Sequence, residues 1–367
     1  MQALRIYAGP KARRHIEQNG LKPEDIAVVP GAAGGPKGLI LGALDRFIFG
    51  DWLAQTSHPV DLVGASIGAW RMATACLNDP VTAFKRLETD YIHQHYELAP
   101  GQKRPTADAV SEQFGQSLKD FYGGRVQEVT GHPRYRLHIV TSRGRHMLGR
   151  EHKVVTPLGY FGAFLTNSLH RKAMGAWLER VVFSTQNAAL PFATADYRTR
   201  QIHMDEANFQ PALQASCSIP FVLRSVRNIP GAPPGAYWDG GITDYHLHLN
   251  YHRTATEEAA GSSPGLVLYP HFQKSVVPGW LDKGLKWRHG ATHFLDNMVV
   301  LAPDPDWVRT LPNGKLPDRT DFMRYGTDLQ ARVKAWSSAT AASRQLADEF
   351  GEWLEGSARG IAPVEAL

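Results

Sequence analysis

Short continuous apolar runs along this chain alternate with longer stretches in which apolar residues recur every three to four positions. Ile26-Ala27-Val28-Val29-Pro30 is such a run, closed by proline and glycine, the pattern of a strand buried on both faces. From Lys37 the period changes. Ile40, Leu41, Leu44, Phe47 and Ile48 fall on one face of a helix, with Gly50 as its expected C-cap. Val60-Asp61-Leu62-Val63 predicts a second strand, residues 64–68 a tight turn, and residues 67–77 a helix apolar enough to be buried. Two strand–turn–helix units in succession predict a parallel sheet covered by helices.

Further strands are expected at 135–141, 180–184 and 266–269, and another ends at Tyr237-Trp238, just before Asp239. Residues 80–132 read as helices and loops, and 143–178 mix glycine, arginine and aromatics without a clear period. A short helix is expected over 213–217, with loops at 229–235 and 254–264. Leu329, Val333, Trp336, Leu346, Phe350 and Leu354 predict one or two amphipathic helices near the C-terminus. The expected fold is α/β, a three-layer α/β/α arrangement around a central, mainly parallel sheet. Its core spans 1–275 with inserted cap segments at 80–135 and 143–178. Residues 276–367 form a mainly helical extension packed on that core.

Composition narrows the class. Of 367 residues, 43% are hydrophobic and 20% charged, enough for a sizeable core and too apolar for wholesale disorder. The net charge of +5 is mild and spread along the chain, so a nucleic-acid partner is not expected. Two cysteines, Cys76 and Cys217, exclude a disulfide framework and a cysteine-ligated zinc cluster. No run of 18 apolar residues and no secretory leader pattern is present, which predicts a cytoplasmic protein with at most peripheral membrane contact. Glycine is abundant at 34 residues, and nine of these lie at three places: five in residues 31–42, two bracketing Ser66 and two after Asp239.

Those three places carry the chemistry. Gly64-Ala65-Ser66-Ile67-Gly68 has the G-x-S-x-G form between a predicted strand and a predicted helix, the context of a nucleophile elbow. A helix start behind the serine aims N–H groups and a positive dipole end at developing negative charge. In the loop Gly31–Gly38, Gly34 and Gly35 can bring bare N–H groups to an oxyanion, and Lys37 adds a positive charge. In a parallel sheet this loop opens at the same edge as Ser66. Neither phosphate-loop signature is present there. Asp239-Gly240-Gly241 supplies a carboxylate followed by a sharp turn, suited to a base for Ser66. His246, His248, His252 and His271 also fit the Ser…Asp…His chain order, which leaves a histidine base open at this point. His246, His248 and His252 with Asp244 form a second option, a metal cluster, although neither helical nor strand spacing serves all three histidines. Arg71 is a candidate for a lipid phosphate, and Trp336 and Trp353 for docking on lipid; salt-bridged and core positions are the ordinary alternatives.

Together the segments make the chain similar to the patatin-like phospholipase family of serine lipid acyl hydrolases. The matching stretches are Gly34-Gly35-Pro36-Lys37-Gly38, Gly64-Ala65-Ser66-Ile67-Gly68, Asp239-Gly240-Gly241, and Ala215-Ser216-Cys217-Ser218-Ile219-Pro220-Phe221 ahead of the aspartate. The resemblance spans roughly residues 24–270. It implies a Ser-Asp dyad without a catalytic histidine: Ser66 as nucleophile, Asp239 as general base, Gly34, Gly35 and Lys37 at the oxyanion hole, and Gly64 and Gly68 shaping the elbow. It calls for no cofactor and no metal. The implied partner is a lipid or ester small molecule. The glycine loop reads Ala32-Ala33-Gly34-Gly35 where the family commonly has D-G-G-G.

Overall fold

The computed structural model describes residues 1–97, 102, 105–252, 264–358 and 363–367. The expected loop at 254–264 therefore lies, except for its last residue, outside the described residues. Among these, eleven strands form one sheet: β1 (Leu4–Ala8), β2 (Ile26–Gly31), β3 (Val60–Ala65), β4 (Tyr135–Gly144), β5 (Leu178–Ser184), β6 (Thr199–His203), β7 (Val226–Arg227), β8 (Ala236–Asp239), β9 (Leu266–Pro270), β10 (Met298–Pro303) and β11 (Glu365–Ala366). The order is β11-β1-β10-β9-β2-β3-β4-β5-β6, and β8 pairs with β4 and β7. The central run β10-β9-β2-β3-β4 is parallel throughout, whereas β1 meets β10, and β5 and β8 meet β4, in antiparallel fashion.

Every residue of β3, β5, β9 and β10 is buried, so both faces of the sheet are covered and the layers stack α/β/α. The helices are α1 (Pro10–Asn19), α2 (Gly42–Phe47), α3 (Ile67–Ala75), α4 (Pro80–His93), α5 (Ala107–Tyr122), α6 (Val126–Thr130), α7 (Val155–Leu169), α8 (Glu206–Ser216), α9 (Pro305–Thr310), α10 (Thr320–Tyr325), α11 (Leu329–Ala342) and α12 (Arg344–Ala358). The chain after residue 276 supplies α9 to α12 and also β10, which lies inside the sheet between β1 and β9. No helix among the described residues is long and apolar enough to cross a membrane.

The structure differs from the periodicity reading at four places. The helix expected from Lys37 opens as a tight 3-10 turn over Gly35–Leu41, becomes α2, and continues to Gln55, so Gly50 lies inside it. A side chain at Gly50 would collide with Val81 of α4, which explains that glycine without a cap. The helix expected at 213–217 starts at Glu206, because Asp205 caps the Ala207 and Asn208 N–H groups and Asn208 reciprocates. The 143–178 segment contains a fifteen-residue helix, α7, set between 3-10 turns at His146–Gly149 and Arg171–Ala176, so no single period runs through the segment. Strands β1, β6, β7, β10 and β11 are not among the expected elements.

Trp336 is buried against Leu39 and Ile92, and Arg71 is buried and does not line the cavity at Ser66. Its guanidinium makes a buried bidentate pair with Asp45, at 2.7 and 2.6 Å, joining α3 to α2. The lipid roles considered for those two residues are thereby replaced by packing. Cys76 is buried and Cys217 half-buried, both as free thiols.

Candidate active site

Strand β4 brings the two separated motifs together. β3 pairs with β4 only as far as Ala65 opposite Val140, and β5 occupies the other edge of β4 over His138–Gly144. β8 therefore continues along the edge that β3 has left. It runs antiparallel, with Asp239 opposite Thr141. The C-terminal ends of β3 and β8 thus converge at adjacent residues of β4. Ser66, the residue after Ala65, donates from Oγ to Asp239 Oδ2 at 2.7 Å, and both residues are buried. The other carboxylate oxygen accepts the Gly241 N–H at 2.7 Å.

Ser66 sits at φ 56°, ψ −130°, a conformation that costs on the order of 1–3 kcal/mol for a residue with a side chain. The surroundings enforce it. A Cβ on Gly68 would collide with the Gly31 carbonyl, and one on Gly64 with the Ala69 backbone, so only glycine permits the turn. Ser216, at the end of α8, accepts the Ser66 N–H at 3.0 Å and donates to the Val140 carbonyl at 2.6 Å. This gives the A-S-x-S-I-P segment a physical task, since it pins the serine turn to β4. It also commits the Ser66 N–H, so donors for an oxyanion must come from elsewhere.

β2 and β3 are parallel with Gly31 opposite Gly64, so the glycine loop leaves the sheet at the same edge as the Ser66 turn. Gly34 precedes and Gly35 begins the 3-10 turn, where N–H groups lack intrahelical acceptors. Neither N–H donates to another described residue. Ser66, Asp239, Gly34 and Lys37 line one cavity of ≈ 200 Å³.

Two further cations line that cavity, Lys283 and Arg319. The Lys283 amine lies 4.0 Å from the Tyr245 ring centre, and the Lys37 amine 5.2 Å from that of Phe272. Among the described residues, neither of these lysines nor Arg319 has a carboxylate within ion-pair distance, while Asp318, on the same wall, is held by Lys315 at 2.8 Å. Enclosure of its amine, with the like charges of Arg319 and Lys37 beside it, lowers the Lys283 pKa to about 8. Burial lowers Lys37 as well. Asp239 is raised above the ordinary carboxylate range by burial. The Ser66 hydrogen bond, Arg319, the Gly241 N–H and Lys283 each pull it partly back.

The histidines are engaged away from the Ser-Asp pair. His246 Nδ1 accepts the Val277 N–H at 3.0 Å and its ring stacks on Tyr245. His248 bridges the Val276 carbonyl and the Thr292 hydroxyl, each at 2.8 Å. His271 folds onto the Gln273 carbonyl, and the His252 N–H donates to Pro191. Burial holds His246 well below the usual imidazole value, His248 at about 4 and His271 at about 3, so these three are neutral at pH 7. Asp244 is paired with Arg180 at 2.6 Å. No group of three histidine, cysteine or acidic side chains able to hold a metal occurs among the described residues.

A family model described as patatin-like phospholipase matches residues 32–246, more than half of the chain. The chain belongs to the patatin-like phospholipase family. The family match opens in the glycine loop and ends just beyond the D-G-G turn, so the Lys283 and Arg319 positions fall outside it. No curated protein matches the chain by sequence. Among solved structures, human GIVD cytosolic phospholipase A2 is similar at 11% identity and a TM-score of 0.32, over 96% of this chain and 63% of that one. This patatin-like chain thus spans less than two thirds of that neighbour's length. The motif residues Gly34, Gly35, Lys37, Ser66 and Asp239 were all readable in sequence. Tyr245, Trp280, Lys283 and Arg319 were not, because single residues in irregular segments leave no periodic or motif signal.

Proposed function

We propose that the protein is a serine acyl hydrolase that cleaves carboxylic ester bonds of lipids or phospholipids. The observation that carries this reading is the 2.7 Å bond from Ser66 Oγ to Asp239 Oδ2 on the wall of the cavity. Asp239 takes the Ser66 proton as Oγ attacks the ester carbonyl carbon. The Gly34 and Gly35 N–H groups, Lys37 and the start of α3 stabilise the oxyanion. Collapse of the tetrahedral species expels the alcohol, which recovers the proton from Asp239 and leaves acyl-Ser66. Water then gives its proton to Asp239 and attacks the acyl carbon, releasing the carboxylic acid and regenerating the serine. A raised Asp239 pKa suits this role, since a stronger base is a better match to a serine hydroxyl.

The three cations favour an ester that also bears an anionic group, as a phospholipid does, over a neutral carboxylester. A fluorophosphonate probe followed by peptide mass spectrometry tests the reaction. Labelling at Ser66 that is lost in Asp239→Asn is the expected result. Absence of labelling in the native protein would instead favour a silent lipid-binding module.

A further inference from the structure

Helix α7 is built inside out. Val154, Leu158, Phe161, Leu165 and Leu169 recur at helical spacing along one face, and all point to solvent, between 48% and 87% exposed. Its inward face is the more polar one, with Thr156, Gly159, Tyr160, Ala163 and Asn167 buried. The helix is not free to turn. Asn167 donates to Asp282 at 2.8 Å, and Arg288 donates to the same carboxylate oxygen and to the Ser168 carbonyl. Exposed Phe221 meets Tyr160 of α7 at 5.9 Å and follows Ile219 and Pro220, which line the Ser66 cavity. Trp287, next to Arg288, is 73% exposed at the other end.

We infer that α7, with Phe221 and Trp287, is a membrane-docking face that seats the cavity mouth on an anionic lipid surface. Charge identifies the occupant. No acidic residue occurs between Glu151 and Glu179, while exposed Lys153 and Lys172 flank the helix and exposed Lys286 adjoins Trp287. An apolar stripe edged by lysines and a tryptophan matches an acyl–headgroup boundary. The cavity agrees: at ≈ 200 Å³ it is below the roughly 300–1,000 Å³ that encloses a drug-sized ligand, too small to hold a lipid's acyl chains whole, so their far ends lie in the surface on which α7 rests.

The inference rests on the lipid-hydrolase reading for its meaning, but its test does not need catalysis. Ser66→Ala protein is mixed with vesicles of phosphatidylcholine and phosphatidylglycerol and sedimented. The expected result is binding that falls on the order of tenfold or more when Phe161→Glu and Leu165→Glu are added, from the burial lost by two large apolar side chains. In the Ser66 background, the same pair leaves hydrolysis of a soluble nitrophenyl ester within about twofold and the circular dichroism spectrum unchanged. Absence of vesicle binding, or equal binding by the Glu variant, overturns the inference. So does a dimer in solution that the Glu variant dissolves, because the stripe then belongs to a second copy. Soluble-ester activity persisting through any of these outcomes keeps the hydrolase reading intact.

Discussion

Ser216 holds Ser66 in place: its hydroxyl accepts the Ser66 N–H at 3.0 Å while donating to Val140 on β4 at 2.6 Å. The two contacts tie a strained turn to the strand that also aligns Asp239. Ser216→Ala leaves a buried N–H and a carbonyl short of a partner, at a cost of about 1–3 kcal/mol. The expected outcome in urea unfolding is a loss of that size. On a nitrophenyl ester kcat falls while KM holds, because the serine turn is loosened and the cavity is not.

Ser66→Ala and Asp239→Asn each remove half of the proposed dyad. Both are expected to lower kcat on the order of 10⁴-fold with the fold retained. An Asp239→Asn protein that still turns over would assign the base elsewhere; among the described residues no histidine lines the cavity.

The pH dependence follows from the raised Asp239 pKa. Hydrolysis needs the carboxylate, so kcat/KM rises with pH through a midpoint above the ordinary aspartate value of about 3.9. Stability moves the other way. The folded pKa exceeds the unfolded one, so the contribution of this group is full below the unfolded value and lost as pH rises through the folded value. Asp239→Asn therefore gains stability relative to wild type as pH rises from about 4 through the folded Asp239 value, readable by denaturant titration along that rise. A relative loss over that range would contradict the burial argument.

Lys283 and Arg319 separate substrate choice from chemistry. Arg319→Ala and Lys283→Ala are expected to raise KM for an anionic phospholipid about tenfold, the scale of one charge-assisted hydrogen bond. On the alkaline plateau, where Asp239 is ionised in every variant, kcat/KM for a neutral nitrophenyl ester stays within about twofold. Steady-state kinetics on the two substrates, with both presented in the same detergent micelle, read the difference.

Arg71 makes a stability prediction instead. Arg71→Met strands the buried Asp45 carboxyl and is expected to cost about 3–5 kcal/mol. Adding Asp45→Leu restores most of it, since an apolar pair of similar volume replaces the ion pair. A KM effect on phospholipid without a stability loss would return Arg71 to the site.

Local chemistry along the chain carried much of this protein. The apolar runs at 26–30 and 60–63 became β2 and β3, and the glycines around Ser66 announced a turn too crowded for any side chain. The fold class and the candidate nucleophile, base and glycine loop are legible because steric demands at each position are met by neighbours a few residues away. Tertiary structure decided the rest. Ser66 and Asp239 are 173 positions apart, and they meet because β8 takes over the edge of β4 where β3 ends. Lys283 and Arg319 reach the same cavity from irregular segments with no local signature. The apolar face of α7 lies outward because its more polar face is pinned to Asp282 and Arg288, contacts more than a hundred residues distant in sequence. Hydrophobic periodicity states that a helix has faces; only the packing of the whole chain determines which of them meets water.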